Sequence, residues 1–355
     1  MPDNRQERQA RLAGLPAHFT ALSDLALTSD EAYRDSFRLV YSLGPVYDIL
    51  RNKDTRPPMA IAIYGDWGTG KTTAMQWLDD LLHKGHSRNE VKVKTVWFYP
   101  WKYHAKEDVW RGLIAEVVLK SIDVKEATPG TVVKAAKQFG FFLGRSFLHV
   151  LASVKLKAAA GIAEAEMDLA SIKEILAEYR EAAHPEQAFL NYFEQSLKEW
   201  IHGTLRKNER MVIFVDDLDR CMPEVALQVL EALKLYLNIE KLVFVVGLDK
   251  PVIEQQVVKH YEELGVDREK AKKYLDKMFQ VEVTLTPRDK QIEDFLDEQL
   301  QAFDYWKKNL SKAHQAIFRR LILDLAEGNP RQIKRLINSA SMYGAGVLMA
   351  EELDQ

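Results

Sequence analysis

The sequence is poor in the features that mark secreted or membrane-spanning proteins. It contains a single cysteine, Cys221, so a disulfide within the chain is impossible and a reducing, cytoplasmic setting is expected. No uncharged apolar run reaches about 18 residues, the length that a transmembrane helix needs. The first residues are charged and polar throughout, which is not typical of a secretory signal peptide.

Charge of one sign and clusters of metal ligands are also scarce. The 355 residues carry a formal net charge of −3, which disfavours nucleic acid as a partner. The closest histidine pair, His83 and His86, has no third histidine or cysteine beside it, which argues against a zinc site. With 47% hydrophobic and 28% charged residues, the chain is globular in composition and long enough for one large or two ordinary domains.

The stretch from residue 59 to residue 82 carries the strongest motif. Residues 59–64 are apolar and predict a buried strand, and residues 73–82 predict a helix. Between them lies a glycine loop of the form G-x-x-x-x-G-K-[ST], in the context that a phosphate-binding loop requires. Its glycines let backbone N–H groups approach phosphate oxygens, and the helix N-terminus adds positive charge. We therefore expect a nucleoside triphosphate to bind at Gly65, Asp66, Trp67, Gly68, Thr69, Gly70, Lys71, Thr72 and Thr73.

Two side chains of this loop, and two carboxylates later in the chain, have distinct expected roles. Lys71 reaches the β- and γ-phosphates, and the Thr72 hydroxyl is expected to ligate Mg²⁺. Residues 210–216 predict a central strand of a parallel sheet that runs into carboxylates. Asp216 is expected to hold Mg²⁺ with Thr72, and Asp217 to polarise the attacking water. Ligands of parallel sheets gather at the carboxyl ends of strands, so the two motifs should meet there.

Three further residues each have a functional and a structural interpretation. Asp249 ends the next apolar strand, where it either senses the γ-phosphate through water or caps the following helix. Arg331 opens a C-terminal helix against the helix dipole, which favours a role at the γ-phosphate over a surface salt bridge. Arg220 is either an arginine finger for a neighbouring subunit or, as we favour, a partner of Asp217 or Asp219.

The rest of the hydrophobic pattern predicts an α/β sheet followed by helices. Further strands are expected at 91–99, 242–248 and 279–285. The pattern at 35–52, interrupted at Gly44-Pro45, predicts either one helix or a broken pair of helices. Other helices are expected at 107–122, 167–183, 186–205, 223–237, 251–261 and 268–278. The predicted domains are a helical lead-in at 1–58, a core at 59–287 with a helical insertion at about 123–207, and a C-terminal helical lid at 288–355.

Together these motifs resemble the KAP family of P-loop NTPases. The resemblance rests on the loop at 65–72, Trp101 after the second strand, Asp-Asp-Leu-Asp-Arg-Cys at 216–221 followed by Pro223-Glu224, the strand at 243–249, and Asn-Pro-Arg-Gln-Ile-Lys-Arg at 329–335. It implies an α/β fold of the ASCE division, a P-loop NTPase with a mainly parallel five-stranded sheet in the order 5-1-4-3-2, to which the hydrophobic pattern adds a helical insertion and a C-terminal helical subdomain. It also implies ATP as the substrate, Asp216 for Mg²⁺ and an acidic neighbour for the water.

Many members of this family carry membrane-spanning helices in the insertion. The family is associated with membrane-linked signalling and, in bacteria, with exclusion of phage. This chain departs from the pattern, because its insertion offers only a 16-residue apolar stretch, 139–154, within an acid-free, basic region. On a helix, one face of that stretch would carry Phe139, Phe142, Leu143, Phe147, Val150, Leu151 and Val154. We favour burial against the body or another subunit, with contact with the inner face of a membrane and a true span as alternatives.

The sequence therefore predicts a Mg²⁺-dependent ATPase that works as a nucleotide-driven switch, with a protein partner or self-association. The alternative is a scaffold that holds ATP for a protein partner without turnover. The presence of both Asp216 and Asp217 favours turnover.

Overall fold

The contacts of the chain form two compact units. In the computed structural model the described residues are 22, 39–84, 90–103, 106–122, 135, 139, 186–236, 238–265, 267–287, 289–301 and 311–353. The sheet unit comprises Val40–Asp66 and Lys71–Leu285. The C-terminal unit comprises Thr286–Gln355 together with Trp67–Gly70 and Met1–Leu39. The contacts thus assign the middle of the glycine loop to the unit that holds the last helices.

Five strands form one sheet in the sheet unit: β1 Met59–Tyr64, β2 Lys92–Phe98, β3 Glu209–Val215, β4 Leu242–Leu248 and β5 Val281–Thr284. Their order is β2-β3-β4-β1-β5, which confirms the order that the family resemblance implied. All pairings are parallel, with Tyr64 opposite Leu248 and Val215 opposite Val246. The carboxyl ends of β1, β3 and β4 therefore lie side by side.

Of the three inner strands, β3 and β4 are buried at every position, as expected for strands with both faces covered. Strand β5 is only partly buried, as an edge strand can be. The helices of this unit are α1 Leu39–Arg51, α2 Lys71–His83, α3 Lys106–Ser121, α4 Glu186–Thr204, α5 Pro223–Tyr236, α6 Lys250–Glu263 and α7 Arg268–Met278. Short 3-10 helices span Pro100–Lys102 and Leu218–Arg220.

Two buried arginines satisfy backbone carbonyls at the carboxyl ends of α1 and α2. Arg210 of β3 donates to the carbonyls of Ile49 and Asn52 at the end of α1, at 3.1 and 2.9 Å. Arg51, the last residue of α1, donates to Leu82 O at 2.5 Å near the end of α2. The last carbonyls of a helix have no intrahelical donor, so these guanidinium groups satisfy them and also oppose the negative end of the dipole. The helix that follows the loop is thereby tied to β3 through α1.

Helix α1 runs through Pro45 without a break, whereas the sequence was also compatible with two helices separated there.

In the insertion, the predicted helix at 186–205 is confirmed as α4, whereas the one predicted at 167–183 lies outside the described residues. Phe139 is fully buried and meets Trp200 edge to face, with ring centroids 5.6 Å apart. The rest of the 139–154 stretch lies outside the described residues. Among the helices described, none is both long and apolar enough to cross a bilayer.

The C-terminal unit has its own small core between α8 Asp289–Gln301, α9 Lys312–Ala326 and α10 Pro330–Leu353. That core contains Ile292, Phe295, Leu296, Leu300, Ile322, Ala326, Ile333 and Ile337. Arg319 joins α9 to α8 through Asp297 at 2.6 Å and Glu293 at 3.0 Å. The Asn338 side chain makes two hydrogen bonds with the backbone of Leu22, at 2.8 and 2.9 Å.

Candidate nucleotide-binding site

Lys71 is the first residue of α2, and its side chain is turned back into the loop that precedes the helix. Its Nζ donates to Gly65 O at 2.8 Å and to Asp66 O at 3.3 Å, and lies 3.5 Å from Asp219 Oδ2. The side chains of Lys71 and Asp219 are each 8% exposed. The ammonium thus donates two hydrogen bonds to loop carbonyls and forms an ion pair with Asp219. Lys71, the side chain predicted to bind phosphate, is thus a buried cation with a carboxylate beside it.

Asp216 follows β3 directly and brings the acidic motif to the phosphate loop. The Thr72 side chain hydrogen-bonds its carboxylate, and the Asp217 backbone N–H donates to Oδ1 at 2.9 Å. Oδ2 is buried with no hydrogen-bond partner. The structure therefore joins the two motifs that the sequence placed at one edge of the sheet.

Burial raises the pKa of Asp216 to about 6, and repulsion from Asp217 acts in the same direction. A divalent cation would favour the ionised carboxylate, and Oδ2, which has no hydrogen-bond partner, could serve as its ligand. The Asp216 carboxylate and the Thr72 hydroxyl are hard oxygen donors, which fit Mg²⁺. Within the described residues no group of three or more His, Cys, Asp or Glu side chains is placed to hold an ion. Mg²⁺ does not need one, since phosphate oxygens and waters usually complete its shell.

The residues after Asp216 form a tight turn that carries the other two carboxylates. Asp217 lies in the left-handed region, with φ 59° and ψ 32°, which aspartate visits more readily than most residues. Arg220 Nε lies 2.9 Å from Asp217 Oδ1, and Arg220 N donates to Asp217 O at 3.1 Å. The structure thus contains the contact with Asp217 that the local-partner interpretation of Arg220 predicts. Burial, reinforced by Asp219 and Asp217, raises the pKa of the Cys221 thiol to about 12, so this cysteine stays protonated.

The carboxyl end of β4 contributes one predicted residue and one that the sequence analysis missed. Asp249 caps α6, and its Oδ1 accepts from Val252 N at 3.3 Å. Gly247 had no assigned role. A Cβ there would lie 2.8 Å from Met75 Cε and 3.4 Å from Asp216 Oδ1, so a glycine makes room for α2 and the acidic motif. The available signal was a glycine inside an apolar strand, which marks a close approach.

Tyr99, just beyond β2, is a second residue that the analysis missed. It stacks on Trp97 with centroids 5.9 Å apart, and Trp97 stacks on Phe214 of β3 at 4.9 Å. Burial, followed by the charges of Asp216 and Asp217, raises the pKa of the Tyr99 phenol. The phenol thus stays protonated in the field of both carboxylates. The signal was the aromatic run at the end of the strand.

In the C-terminal unit, the start of α10 holds residues Trp67–Gly70 of the loop. Asn329 Nδ2 donates to Trp67 O at 2.8 Å, and its Oδ1 accepts from Arg331 N at 3.0 Å. The guanidinium carbons of Arg331 and Arg335 lie 5.0 and 5.4 Å from the Trp67 ring centroid, within cation–π range. Trp67 remains 50% exposed. The structure thus places Arg331 over the indole of the loop.

Gly68 is required here for two reasons. Its φ is +96°, a conformation that residues with a Cβ rarely adopt. A Cβ on it would also lie 2.5 Å from Asn329 Oδ1 and 2.9 Å from Arg331 Cβ. Gly70 has the same φ of +96° but faces open space. Only Gly68 is therefore needed for the close approach of α10.

The model of the KAP family P-loop domain matches residues 43–347 of the chain. No curated protein matches the chain. Solved structures similar to the chain include the Aeropyrum pernix ORC1 protein in complex with DNA, at 15% identity and a TM-score of 0.42, with 94% of this chain and 63% of that chain covered. The Aeropyrum pernix ORC2 protein, in ADPNP–ADP complexes, is similar at 11% identity and a TM-score of 0.36, with 97% and 68% covered. The chain thus spans 63% of the length of the first of these proteins.

Proposed function

The chain belongs to the KAP family of P-loop domains, and from this membership we propose that it is a Mg²⁺-dependent ATPase that works as a nucleotide-driven switch. One observation carries the proposal. The Thr72 side chain of the phosphate loop hydrogen-bonds Asp216 at the end of β3, so the phosphate-binding and acidic motifs share one buried site. A phosphate loop alone binds phosphate, whereas hydrolysis also requires a carboxylate for the metal and a group that orients water.

Each residue of the site has a proposed task. Thr72 and Asp216 would hold Mg²⁺, which when bound neutralises charge on the β- and γ-phosphates. Lys71 supplies the second positive charge, and the backbone N–H groups of residues 65–73 surround the phosphates. Asp217 orients the attacking water and accepts its proton. The 2.9 Å contact with Arg220 fixes the direction of the Asp217 carboxylate.

The switch is proposed to run through the loop to α10. Asn329 holds the Trp67 carbonyl, and Arg331 and Arg335 lie over the Trp67 ring. Nucleotide that reorders residues 65–70 would thus act on the first turn of α10. Arg331 is proposed to couple the γ-phosphate to the C-terminal helices, and Asp249 to sense that phosphate through water while it caps α6.

Two variants test the assignment. Lys71→Ala is expected to abolish tight ATP binding in calorimetry, because the cation that neutralises the phosphates is lost. Asp217→Asn is expected to keep Mg²⁺–ATP binding and to slow phosphate release by about 10²–10⁴-fold, because an amide accepts no proton. Glu224→Gln, which removes the same negative charge at an exposed position on the neighbouring helix, is the control for Asp217→Asn. Unchanged ATP affinity in Lys71→Ala would refute the assignment of the phosphate site.

A scaffold that binds ATP without turnover is the second candidate. The observation that favours it is the Asp217–Arg220 pair, which engages the proposed base. Tight Mg²⁺–ATP binding by the parent protein without phosphate release, whether alone or with lipid, would support the scaffold over the ATPase.

The output of the switch is proposed from the family resemblance alone: membrane-linked signalling or anti-phage defence, in the cytoplasm and through a protein partner or self-association. Phage plating on bacteria that express the chain is the direct test of defence. Fewer plaques are expected with the parent than with Lys71→Ala. Equal plaque counts would remove defence and leave signalling as the proposed output.

A further inference from the structure

We propose that Asp219 is the counter-ion that nucleotide phosphates must displace from Lys71, so that this carboxylate sets the affinity of the site. The inference rests on the proposed nucleotide function. It concerns a residue to which neither the phosphate-loop motif nor the Mg²⁺ and water roles give a task.

Lys71 Nζ already has oxygen atoms around it. It donates to Gly65 O and Asp66 O at 2.8 and 3.3 Å, and Asp219 Oδ2 lies 3.5 Å away as its ion-pair partner. The two carbonyls belong to the loop that leads into α2 and remain near Nζ as long as the loop keeps its shape. Asp219, by contrast, reaches Nζ with a side chain that can rotate away, and its distance to Nζ is the longest of the three. A phosphate oxygen that approaches Nζ therefore replaces Asp219.

Asp219 itself is poorly anchored by anything except Lys71. Its Oδ1 is buried and has no hydrogen-bond partner. A buried carboxylate without donors is unfavourable unless a cation balances it, and Lys71 is the cation in contact. If Asp219 served only to stabilise the fold, a side chain this buried would be expected to have both oxygens satisfied.

Electrostatics makes Asp219 and a phosphate competitors. The site already holds Asp216 and Asp217, and the charge of Asp219 contributes to the raised pKa of Asp216. Like charges repel more strongly at a buried site than in water. A triphosphate at Lys71 beside an ionised Asp219 would add further negative charge there, so Asp219 must turn away for tight binding.

The turn that carries Asp219 links this displacement to the proposed base. Asp217 immediately precedes the 3-10 helix Leu218–Arg220 and Asp219 lies within it, and Arg220 Nε contacts Asp217 Oδ1 at 2.9 Å. Movement of Asp219 away from Lys71 therefore acts on the segment that orients Asp217. Asp219 would be a positioning residue, since it acts through Lys71 and this turn.

Calorimetry with ADP and with ATP in EDTA separates competition from the other roles. Asp219→Asn keeps the shape and removes the charge, so both nucleotides are expected to bind about tenfold more tightly. Glu224→Gln removes one exposed negative charge on α5 and is the matched control, with affinity within about twofold of the parent. A residue needed for the fold or for Mg²⁺ would instead weaken or leave unchanged the metal-free affinity. Either result for Asp219→Asn would overturn the proposal.

A second measurement does not depend on nucleotide. Lys71→Met leaves Asp219 buried without its cation, and its thermal unfolding midpoint is expected to fall by several degrees. Adding Asp219→Asn to Lys71→Met is expected to recover most of that loss. No recovery would show that the two side chains do not depend on each other, and would overturn the inference even if Asp219→Asn alone failed to fold.

The two failures can be told apart. If neither the parent nor Asp219→Asn binds nucleotide while the stability rescue succeeds, the proposed function fails, and the competition falls with it. If the parent binds nucleotide and Asp219→Asn binds no more tightly, only the role of Asp219 fails. Binding that appears in Asp219→Asn alone would support both.

Discussion

At the scale of single residues, Asp216 gives the site a pH dependence. Its pKa in the folded chain is about 6, against an ordinary value of 3.8. Between these values the folded chain binds more protons than the unfolded chain, so the free energy of unfolding falls as pH rises through this window. A pKa difference of roughly two units corresponds to about 3 kcal/mol of unfolding free energy, and this contribution is fully lost above pH 6.

Chemical denaturation in EDTA from pH 4 to pH 8 tests this. Asp216→Asn is expected to be more stable than the parent at pH 7, by up to about 3 kcal/mol, with the difference shrinking toward pH 4. Asp54→Asn, at an exposed carboxylate, is the control and should follow the parent at every pH. If Asp216→Asn were no more stable than the parent at pH 7, the burial cost assigned to this carboxylate would be wrong.

At the scale of elements, the N-terminus of α10 depends on a loop glycine that lies far from it in the sequence. Gly68→Ala and Gly70→Ala share a φ of +96°, so each pays a similar backbone penalty of about 1–2 kcal/mol. Only at Gly68 would the added Cβ meet Asn329 and Arg331. We expect Gly68→Ala to lose more stability than Gly70→Ala.

Hydrogen exchange locates this difference. The Arg331 and Gln332 amides donate to Asn329 Oδ1 at 3.0 and 3.3 Å, and they should lose protection in Gly68→Ala but keep it in Gly70→Ala. Equal protection in the two variants would mean that Asn329 holds its cap without the loop.

Arg331→Ala tests the proposed coupling through the same helix. ATP is expected still to bind, because the phosphate contacts of Lys71 and Thr72 remain, but its protection of residues 289–348 from protease should weaken. Arg335→Ala is a matched variant, since it removes the other guanidinium over Trp67. Undiminished protection in Arg331→Ala would leave this arginine without a role in the switch.

Elements that rest on local pattern could be predicted from the sequence, and contacts between distant side chains could not. The strand–loop–helix at Met59–His83 and the acidic end of β3 are encoded in contiguous residues. The Lys71–Asp219 pair depends on a distance that only the folded sheet sets. The stacking of Arg331 on Trp67 likewise joins residues with no sequence signal for each other. In the sequence, Arg51 and Arg210 also look like ordinary charged residues, and nothing there indicates that they bind carbonyls at helix ends.

At the scale of the whole molecule, the insertion is anchored at Phe139. The ring is fully buried against Trp200, which supports burial at this position. Phe139→Ala is expected to cost about 3–5 kcal/mol of stability, measured by chemical denaturation. Phe318→Ala, at a half-buried phenylalanine of α9, is the control and should cost less. A smaller loss at Phe139 than at Phe318 would contradict the core position.

Anionic liposomes test the alternative for the rest of the 139–154 stretch. If the stretch is buried or self-associating, liposomes should not sediment the protein, and Phe142→Asp with Phe147→Asp should cause insolubility or dissociate an oligomer. Salt-sensitive sedimentation that Phe142→Asp removes, with mass and solubility unchanged, would instead establish membrane contact.

The strand order also decides how the chain can mature on the ribosome. Strand β1 pairs with β4 and β5, both of which are synthesised long after it. At about 5–20 residues per second, β4 emerges on the order of ten seconds after β1. During that interval the apolar segment Met59–Tyr64 has neither of its native neighbours. The nascent protein therefore passes through a stage in which β1 is open to chaperones and to aggregation, and that stage ends only after β4 and β5 have been synthesised.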